Sequence, residues 1–373
     1  MSPPPKLFFW SELYWPTVGG IETFCAAMLP RLAERGYDIR VLTSNMEGEE
    51  PGLEIINGIP VHRLPVRAAI DSGDPAMLLD TIGQVRRLKQ EIGPCVMHLN
   101  FCGPMAFFHM RTAKVQPSPM VTTFHGTLDE VRRDGSLMQG IFAGSDWLIA
   151  NSHVVKADIN QAVPDATART SVIYCGVEPS ATVRPPDLSG PPRLLYVGRL
   201  IHNKGVDLAL QAFVAVLGRY PDARLVIAGD GDQRAALEAL AASLGIAGSV
   251  DFVGWIRPGD VGQLMAESTM VIMPSRWREP FGLVAVEAAL QGRTVIGTED
   301  GGLTEIIVDG VTGRLVPRNS ADGLAEATIG LLSDRASLAA MGRKARERAL
   351  RLFSLEASTD SHDALYRRMA ASA

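Results

Sequence analysis

The chain has 373 residues, of which 46% are hydrophobic and 21% charged, a composition typical of a soluble globular protein with more than one domain. Its formal net charge of −5 argues against a general nucleic-acid binder, which carries an excess of basic residues. The 4 cysteines form no C-x-x-C pair, so they indicate neither a disulfide framework nor a zinc site and favour reduced thiols in a cytoplasmic protein.

Short β-rich runs alternate with longer segments of helical spacing along the whole chain. In the first half, strands are predicted over 6–10, 38–43, 60–64, 96–99, 120–124, 147–150 and 170–174, and helices over 21–35, 78–92 and 153–162. In the second half, strands are predicted over 193–197, 223–228, 250–253, 270–273, 294–297 and 313–316, and helices over 206–219, 233–244, 281–291 and 321–332. This alternation predicts parallel sheets with helices on both faces.

The stretch GVEPSATVRPPDLSGPPR interrupts the alternation, because it is rich in proline, glycine and serine and has no period. We therefore predict an α/β protein with two doubly wound, Rossmann-like domains. The expected boundaries are a first domain over 1–175, a linker over 176–192, a second domain over 193–352, and a C-terminal helix over 353–373 that packs back toward the first domain. Ligands of open parallel sheets bind beyond the carboxyl ends of the strands, so a central cleft that both domains face is the predicted site.

The loop that follows the first strand of the second domain has the composition of an anion site. Gly198 permits a tight turn, and Arg199 and Lys204 then project beside the start of a helix. Two cations next to free backbone N–H groups favour a phosphate group as the ligand. Two solvated surface cations are the alternative.

Two Gly-Gly pairs also stand at predicted helix starts. Gly19 and Gly20 precede the first helix, and Gly301 and Gly302 follow a strand of the second domain. Glycine lets a backbone approach a ligand closely, although such a pair also suits a tight helix entry. Neither G-x-G-x-x-G nor G-x-x-x-x-G-K-[ST] is present, so the glycine patterns of nicotinamide dehydrogenases and of P-loop proteins are both absent from the sequence.

Several polar residues at other strand ends have competing interpretations. His125 follows a strand directly, so it is either a structural histidine or a ligand contact. Asn151 and Ser152 suit the N-cap of a helix. The pair Asp230 and Asp232 resembles a metal motif, but its setting between a strand and a helix favours turn and N-cap roles over metal ligation.

The stretch EPFGLVAVEAALQG holds two glutamates with different surroundings. Glu279 precedes a predicted helix, whereas Glu287 lies within it among apolar side chains. A helix that is apolar nearly all round is buried, and a buried carboxylate needs a partner. The sequence therefore predicts that a partner for Glu287 must be found elsewhere.

Taken in order, these motifs resemble the retaining glycosyltransferases of family four (glycosyl transferases group 1), which have the two-domain GT-B fold. The resemblance covers nearly the whole chain. It implies a metal-independent retaining enzyme, a hexosyltransferase, that moves a sugar from a nucleotide-diphosphate sugar to an acceptor hydroxyl. The donor would be a UDP- or GDP-sugar and a substrate, so no cofactor is expected. The acceptor would be a sugar, a lipid-linked molecule or another small molecule, bound by the first domain.

The resemblance also implies roles for individual residues. The residues expected to act in catalysis are His125, Arg199, Lys204 and Glu279. Arg199 and Lys204 would neutralise the leaving diphosphate, and His125 and Glu279 would contact the transferred sugar. The residues expected to bind the donor are Gly19, Gly20, Gly198, Phe281, Gly282, Leu283 and Glu287. Of these, Glu287 would accept hydrogen bonds from the ribose, and the base would lie near 253–255.

Three questions stay open at this point. A nucleotide-sugar epimerase and a non-catalytic nucleotide-sugar binding protein of the same fold are the alternatives in function. The acceptor loops are expected at 67–77 and 128–138, where Arg132 and Arg133 are either a solvated pair or contacts to an acidic acceptor. No apolar run reaches the roughly 18 residues of a membrane-spanning helix, and a peripheral contact with the inner face of a membrane is left open.

Overall fold

The computed structural model describes residues 5–17, 19–45, 52–100, 103, 105–127, 137–180, 183, 185–186 and 188–371. The chain divides into two compact units. The first unit comprises 1–176 together with 355–373, and the second unit comprises 177–354. Among the described residues, no helix has the length and apolar character needed to cross a membrane.

The first unit is built on a sheet of eight strands. Its strands are β1 (Lys6–Trp10), β2 (Asp38–Ser44), β3 (Gly52–Ile56), β4 (Ile59–Leu64), β5 (Val96–Leu99), β6 (Met120–Phe124), β7 (Trp147–Ala150) and β8 (Thr170–Val172). They lie in the order β3-β4-β2-β1-β5-β6-β7-β8, and all neighbours are parallel except β3 and β4. The central strands β5 and β6 are buried along their whole length and β1 is buried beyond Lys6, because helices cover both faces.

The helices of the first unit include one from the end of the chain. They are α1 (Gly20–Glu34), α2 (Val66–Ser72), α3 (Pro75–Ile92), α4 (Met105–Thr112), α5 (137–144), α6 (His153–Ala162) and α14 (Leu355–Ala371). Helix α14 packs on α1, where Arg35 forms ion pairs with Glu356 and Asp360. The Tyr37 hydroxyl lies 2.5 Å from the Asp363 carboxylate.

The second unit has a six-stranded sheet in which every neighbouring pair is parallel. Its strands are β9 (Arg193–Val197), β10 (Arg224–Ala228), β11 (Val250–Gly254), β12 (Met270–Met273), β13 (Thr294–Thr298) and β14 (Gly313–Val316), in the order β11-β10-β9-β12-β13-β14. Its helices are α7 (Val206–Arg219), α8 (Arg234–Ser243), α9 (Pro258–Ala266), α10 (Leu283–Leu290), α11 (Leu303–Ile306), α12 (Ala321–Ser333) and α13 (Arg335–Leu352).

The strand order reverses once in each sheet. In the first unit the chain winds from β1 to β2 on one side and later continues with β5 on the other side of β1. In the second unit it winds outward from β9 to β11 and then returns to place β12 beside β9. Loops diverge at such a point, and the crevice that opens there at the carboxyl ends of the strands is where doubly wound sheets bind ligands.

Several elements differ from the sequence-based prediction. The hairpin strand β3 and the helices α2, α4 and α9 were not predicted. The β3–β4 hairpin has a local signal, because Asn57 and Gly58 both have positive φ, as a two-residue Asn-Gly turn requires. Helix α9 also has one, since Pro258 occupies its first turn.

One expected segment needs correction, and one predicted boundary can be compared with the observed one. The stretch 67–77, expected to be a loop, is mostly helical, because α2 covers it up to Ser72 and α3 begins at Pro75. The observed break follows Ser354, two residues from the predicted boundary at 352, so α13 lies in the second unit and α14 in the first. Arg132 and Arg133 lie outside the described residues.

Candidate functional site

Three loops of the second unit meet at the carboxyl end of its sheet, and glycines make their close approach possible. Gly205 has φ +67°, and a Cβ there would overlap the carbonyl oxygen of Pro274 in the loop after β12. Gly229, after β10, has φ +140°, and a Cβ there would overlap the carbonyl oxygen of Gly198, after β9. The backbones of these loops are therefore in direct contact, which only glycine permits.

A partly buried ion pair lies at the point where the strand order reverses. Lys204 follows β9 and Glu279 follows β12, and the Lys204 Nζ lies 2.7 Å from the Glu279 Oε1. The hydroxyl of Ser275 donates a hydrogen bond to the same oxygen at 2.5 Å. Lys204 also lies 5.3 Å from the centre of the Trp277 ring. Glu279 is only 5% exposed, so these partners are what make its charge tolerable.

Arg199 presents an uncommitted cation beside this pair. Its side chain is exposed, and within the described part of the chain no carboxylate or carbonyl accepts a hydrogen bond from its guanidinium. Its own carbonyl oxygen accepts a hydrogen bond of 2.9 Å from the Tyr196 hydroxyl, which anchors the loop. Burial, and secondarily the charge of Glu279, raises the pKa of Tyr196, so that this hydroxyl stays protonated and can donate.

Glu287 presents the opposite case, an acid without a counter-ion. It lies in α10, whose side chains Ala285, Val286, Ala288, Ala289 and Leu290 are buried. No hydrogen bond or ion pair joins its carboxylate to any residue that the structure describes. Burial raises its pKa from 4.5 to about 7. The hydrogen-bonding or ionic partner that the sequence predicted for Glu287 is thus not provided by any residue that the structure describes.

The start of α10 is an open helix N-terminus. Gly282 is its N-cap residue with φ +119°, and no side chain caps the helix. The first N–H groups of a helix, here including that of Leu283, have no acceptor within the helix. Phe281 is buried against Phe353, with ring centres 5.8 Å apart, and holds the loop in place. The arrangement offers N–H donors and a positive dipole end to an anion.

The second Gly-Gly pair supports this segment from behind. The N–H of Gly302 donates a hydrogen bond of 2.7 Å to the carbonyl of Glu279. Gly301 has φ +65°, and a Cβ there would overlap the same carbonyl oxygen. A Cβ on Gly302 would lie 2.5 Å from the Cα of Phe281. The pair therefore packs against the backbone of the loop after β12, and this packing accounts for both glycines.

In the first unit, His125 belongs to a row of polar side chains at strand ends. Its Nε2 lies 2.8 Å from the Oδ1 of Asn100, which follows β5, and its Nδ1 lies 3.4 Å from the Nδ2 of Asn151, which follows β7. Burial, and secondarily the neighbouring His362, lowers the pKa of His125 to about 3. The imidazole is therefore neutral at physiological pH, and the two amides hold its orientation.

The first Gly-Gly pair lies at the start of α1 in the same unit. Gly19 is the N-cap residue in an extended conformation, and no side chain caps the helix. Gly20 is the first helical residue. The carboxylate of Glu22, in the first turn, lies against Gly19, since a Cβ there would be 2.2 Å from its Oε2, so this helix start differs from that of α10, which has no acid in its first turn.

The predicted residues thus fall into two groups. The second unit brings together Gly198, Arg199, Lys204, Glu279, Phe281, Gly282, Leu283 and Glu287 on the loops and helix that flank β9 and β12. The first unit holds Gly19, Gly20 and His125 at the ends of its own strands. Sequence reasoning missed Ser275, Asn100 and the contact role of Asn151. Asn100 and Asn151 directly follow strands and Ser275 lies two residues beyond one, so each had a positional signal.

The interpretation of the Asp230 and Asp232 pair is correct only in part. The Asp230 carboxylate accepts a hydrogen bond of 2.8 Å from the N–H of Gly231, which is a turn role. The N-cap of α8 is Gln233 and has no side-chain cap, so the N-cap role was wrong. Ser152, in contrast, caps α6 as predicted by accepting a hydrogen bond from the N–H of Val155. No group of three or more candidate metal ligands occurs in the described portion of the chain.

Solved structures match this architecture over almost its full length. HepE from Anabaena, solved in complex with UDP and glucose, superposes with a TM-score of 0.78 at 21% identity, covering 96% of this chain and 98% of that one. Sucrose-phosphate synthase from Thermosynechococcus elongatus gives a TM-score of 0.81 at 22% identity, covering 99% of this chain and 100% of that one. These structures are glycosyltransferases in which two α/β units with parallel sheets form the GT-B fold. This chain has the same fold.

Sequence comparisons identify the family. Residues 18–181 match Glycosyltransferase Family 4, and residues 183–348 match Glycosyl transferases group 1. The glycogen synthase of Mycobacterium tuberculosis is 30% identical over 366 residues, covering 89% of this chain and 86% of that protein. The N-acetyl-alpha-D-glucosaminyl L-malate synthase of Bacillus anthracis is 27% identical, covering 94% of each. The chain belongs to the group 1, family 4 glycosyltransferases, which confirms the predicted resemblance, and it is an enzyme of the glycosyltransferase class.

Proposed function

We propose that this enzyme is a retaining hexosyltransferase that uses a nucleotide-diphosphate sugar as donor and needs no metal ion. The observation that carries the proposal is a pair of uncommitted charges in the second unit. The Arg199 guanidinium and the Glu287 carboxylate each lack an ionic partner within the described chain and flank the point where the strand order reverses. A ligand that satisfies both must carry an anionic group and hydroxyl donors, as a nucleotide diphosphate does.

The cations suit the leaving group of the reaction. Cleavage of the bond between the sugar C1 and the phosphate oxygen develops negative charge on the diphosphate. That charge would be stabilised by the side chains of Arg199 and Lys204. It would also be stabilised by N–H groups at the start of α10, around Phe281, Gly282 and Leu283. These groups supply the electrostatic stabilisation that a divalent cation provides in other transferases, so metal independence follows from the proposal.

Glu287 suits the ribose of the donor. A carboxylate in apolar surroundings gains most from neutral hydroxyl donors, which stabilise it without another buried charge. The base of the donor is then expected near 253–255, where Trp255 is 58% exposed at the end of β11. This placement of ribose and base is part of the proposal.

Glu279 and His125 suit the transferred sugar in different ways. Glu279 is a buried carboxylate beside Lys204, and a negative charge near the sugar stabilises the positive charge that C1 acquires. His125 has a pKa of about 3, so it is proposed as a neutral hydrogen-bonding group and takes no part in proton transfer at neutral pH. Gly19 and Gly20 are proposed as further donor-binding residues on the resemblance to the family.

Retention of configuration is proposed from the family. In the proposed step the acceptor oxygen forms its bond to C1 on the face from which the diphosphate leaves. The acceptor proton passes to a phosphate oxygen of that leaving group, which balances the charge. Among relatives, the name glycogen synthase and the structure of HepE with UDP and glucose support a hexose and a UDP donor, and a GDP donor is the other candidate that the resemblance implies. The acceptor is proposed to be a sugar, a lipid-linked molecule or another small molecule with a hydroxyl group.

Two measurements test the proposal. A thermal-shift panel of UDP, GDP, ADP and TDP identifies the base, because a ligand that binds only the folded state raises the melting temperature. The matching nucleotide sugars are then incubated with the enzyme, and NMR follows the sugar. Slow hydrolysis with retained anomeric configuration supports a retaining transferase. Interconversion of sugars instead indicates an epimerase, and no reaction with any of them indicates a binding protein.

The metal requirement is tested in the same assay. We expect hydrolysis and transfer to continue at their normal rates in excess EDTA, because Arg199 and Lys204 carry the charge compensation. Complete loss of turnover in the chelator, with recovery on adding Mg²⁺ or Mn²⁺, would show that metal independence is wrong.

A further inference from the structure

Ser275 has an unusual position for a residue outside the predicted site. It lies two residues beyond the end of β12, is only 2% exposed, and has its hydroxyl 2.5 Å from the Oε1 of Glu279. The Lys204 Nζ lies 2.7 Å from the same oxygen. Both donors therefore act on one of the two carboxylate oxygens.

This arrangement leaves the other carboxylate oxygen for a ligand. In the described chain, no side chain or backbone N–H donates a hydrogen bond to the Oε2 of Glu279. A carboxylate accepts on both oxygens, and a buried one needs that capacity used. Because Lys204 and Ser275 hold the Oε1, the carboxylate group of Glu279 has little freedom to rotate. Its Oε2 therefore has a fixed orientation.

The two donors are not equivalent. Lysine is a point charge on a flexible stem, and Lys204 is also proposed to contact the diphosphate of the donor. When phosphate oxygens compete for its ammonium group, Lys204 holds Glu279 less firmly. Ser275 is short, buried and has no such second task, so its hydrogen bond persists throughout the reaction.

We infer that Ser275 is a positioning residue of the transferase: its hydroxyl orients Glu279 so that the Oε2 faces the transferred sugar. The inference rests on the proposed role of Glu279 in the proposed function. It explains why the loop places a buried hydroxyl four residues before the glutamate. Ser275 acts through Glu279 and is not expected to touch the donor.

The central test is the variant Ser275→Ala, measured with the donor identified by the thermal-shift panel. We expect kcat to fall by about tenfold to a hundredfold, because small displacements of a catalytic group have effects of that size. The Kd for the free nucleotide should change by less than about twofold, since Glu279 is not proposed to contact the nucleotide. The variant Ser275→Thr keeps a hydroxyl and should recover much of the lost kcat.

Ser268→Ala is the matched control for burial and folding. Ser268 is also buried, lies just before the same strand, and donates a hydrogen bond of 2.7 Å to the carbonyl of Met265. It lies at the opposite end of β12 from the site. Its loss should lower the melting temperature about as much as Ser275→Ala does while leaving kcat unchanged.

A double variant separates positioning from general damage. In the Glu279→Gln background, Ser275→Ala should lower kcat little further, because the two substitutions disrupt the same interaction. Additive losses would overturn the inference, as would full wild-type kcat in Ser275→Ala or parallel loss of kcat and nucleotide binding. A wild-type enzyme that is inert with every nucleotide sugar would instead overturn the proposed function and the inference with it.

Discussion

At the scale of single residues, Glu287 holds a charge that its surroundings disfavour. Burial raises its pKa to about 7, and α10 places apolar side chains around it. Its folded pKa lies above the unfolded value of 4.5, so ionisation destabilises the fold at high pH, and this effect disappears as the pH falls toward 4.5. A residue that weakens its own domain is typical of a binding site.

The variant Glu287→Gln should therefore stabilise the protein and weaken donor binding together. We expect a higher melting temperature at pH 8, equivalent to roughly 1–3 kcal/mol, and no gain near pH 4.5. The nucleotide Kd should rise by about tenfold or more, because a neutral amide accepts weaker hydrogen bonds from hydroxyls than a carboxylate does. Thermal denaturation and calorimetric titration measure both. Glu326→Gln, a change at an exposed position of α12, should alter neither.

Substitution of Glu279 should affect kcat and leave nucleotide binding nearly intact, in contrast to substitution of Glu287. The proposed partner of Glu279 is a sugar that gains positive charge during transfer, so its effect is greatest in the transition state. We expect Glu279→Gln to lower kcat by about a hundredfold or more while the nucleotide Kd stays nearly unchanged. Steady-state kinetics and nucleotide titration on both glutamate variants provide the measurement. If Glu279→Gln loses nucleotide binding and Glu287→Gln loses only kcat, the two roles are wrongly assigned.

At the scale of elements, the site depends on loops whose backbones touch. Gly205 lies between the loop after β9 and helix α7, with φ +67° and the Pro274 carbonyl where a Cβ would stand. Any other residue there meets backbone strain and a steric overlap with the loop that carries Ser275 and Glu279. The geometry of the ion pair thus rests on the absence of one side chain.

Two glycine variants test this dependence. Gly205→Ala should lower the free energy of unfolding by about 2 kcal/mol or more, since strain at positive φ and displacement of Pro274 add together. It should also lower kcat, because Lys204 is the preceding residue. Gly218→Ala is the matched control: Gly218 lies in α7 with open space around it, and alanine should stabilise the helix by about 0.5–1 kcal/mol. Urea denaturation decides the comparison, and equal effects would contradict it.

At the scale of the whole molecule, the two units bury titratable groups whose pKa shifts have opposite effects on stability. The first unit buries His98, His109 and His362, whose side chains are nearly inaccessible. Burial is the main cause that lowers the pKa of His109 to about 3 and that of His362 to about 4, and it lowers the pKa of His98 well below its ordinary value. The second unit contains Glu287, whose raised pKa has the opposite effect.

The sign of the pH dependence follows from these shifts. A histidine with a folded pKa below the unfolded value of 6.5 binds its proton mainly after unfolding, so its contribution to stability is present above pH 6.5 and is lost as the pH falls toward the folded pKa. Each such histidine lowers the free energy of unfolding by up to about 1.4 kcal/mol per pH unit in that window. The window extends roughly from the unfolded pKa down to the folded pKa values, about pH 6 to about pH 4. We therefore expect the first unit to unfold before the second within that range of pH.

Limited proteolysis at pH 7.5 and at about pH 5 tests this expectation, because cleavage sites report which unit opens. New cleavage should concentrate within the first unit at the lower pH. The variant His362→Leu should reduce the dependence on pH, whereas His202→Asn, at an exposed position, should retain the wild-type behaviour. Cleavage that begins in the second unit would contradict the assignment.

The sequence by itself determined most of the elements and the family. Strand and helix periodicity is a local property, so the alternation, the two sheets and most strand bounds were predictable. The motif around Glu279 and Glu287 is also local, and it indicated both the family and a carboxylate in need of a partner. Even the missed hairpin at Asn57 and Gly58 has a local turn signal.

Only the tertiary structure decided which of these residues meet. Ser275 and Lys204 share one oxygen of Glu279 although Lys204 lies 75 positions away in the chain. The strand orders, which place β9 beside β12 and create the crevice, and the return of α14 to the first unit are decided in the same way. Such contacts depend on strand order and on packing between distant segments, and no short stretch of sequence carries that information.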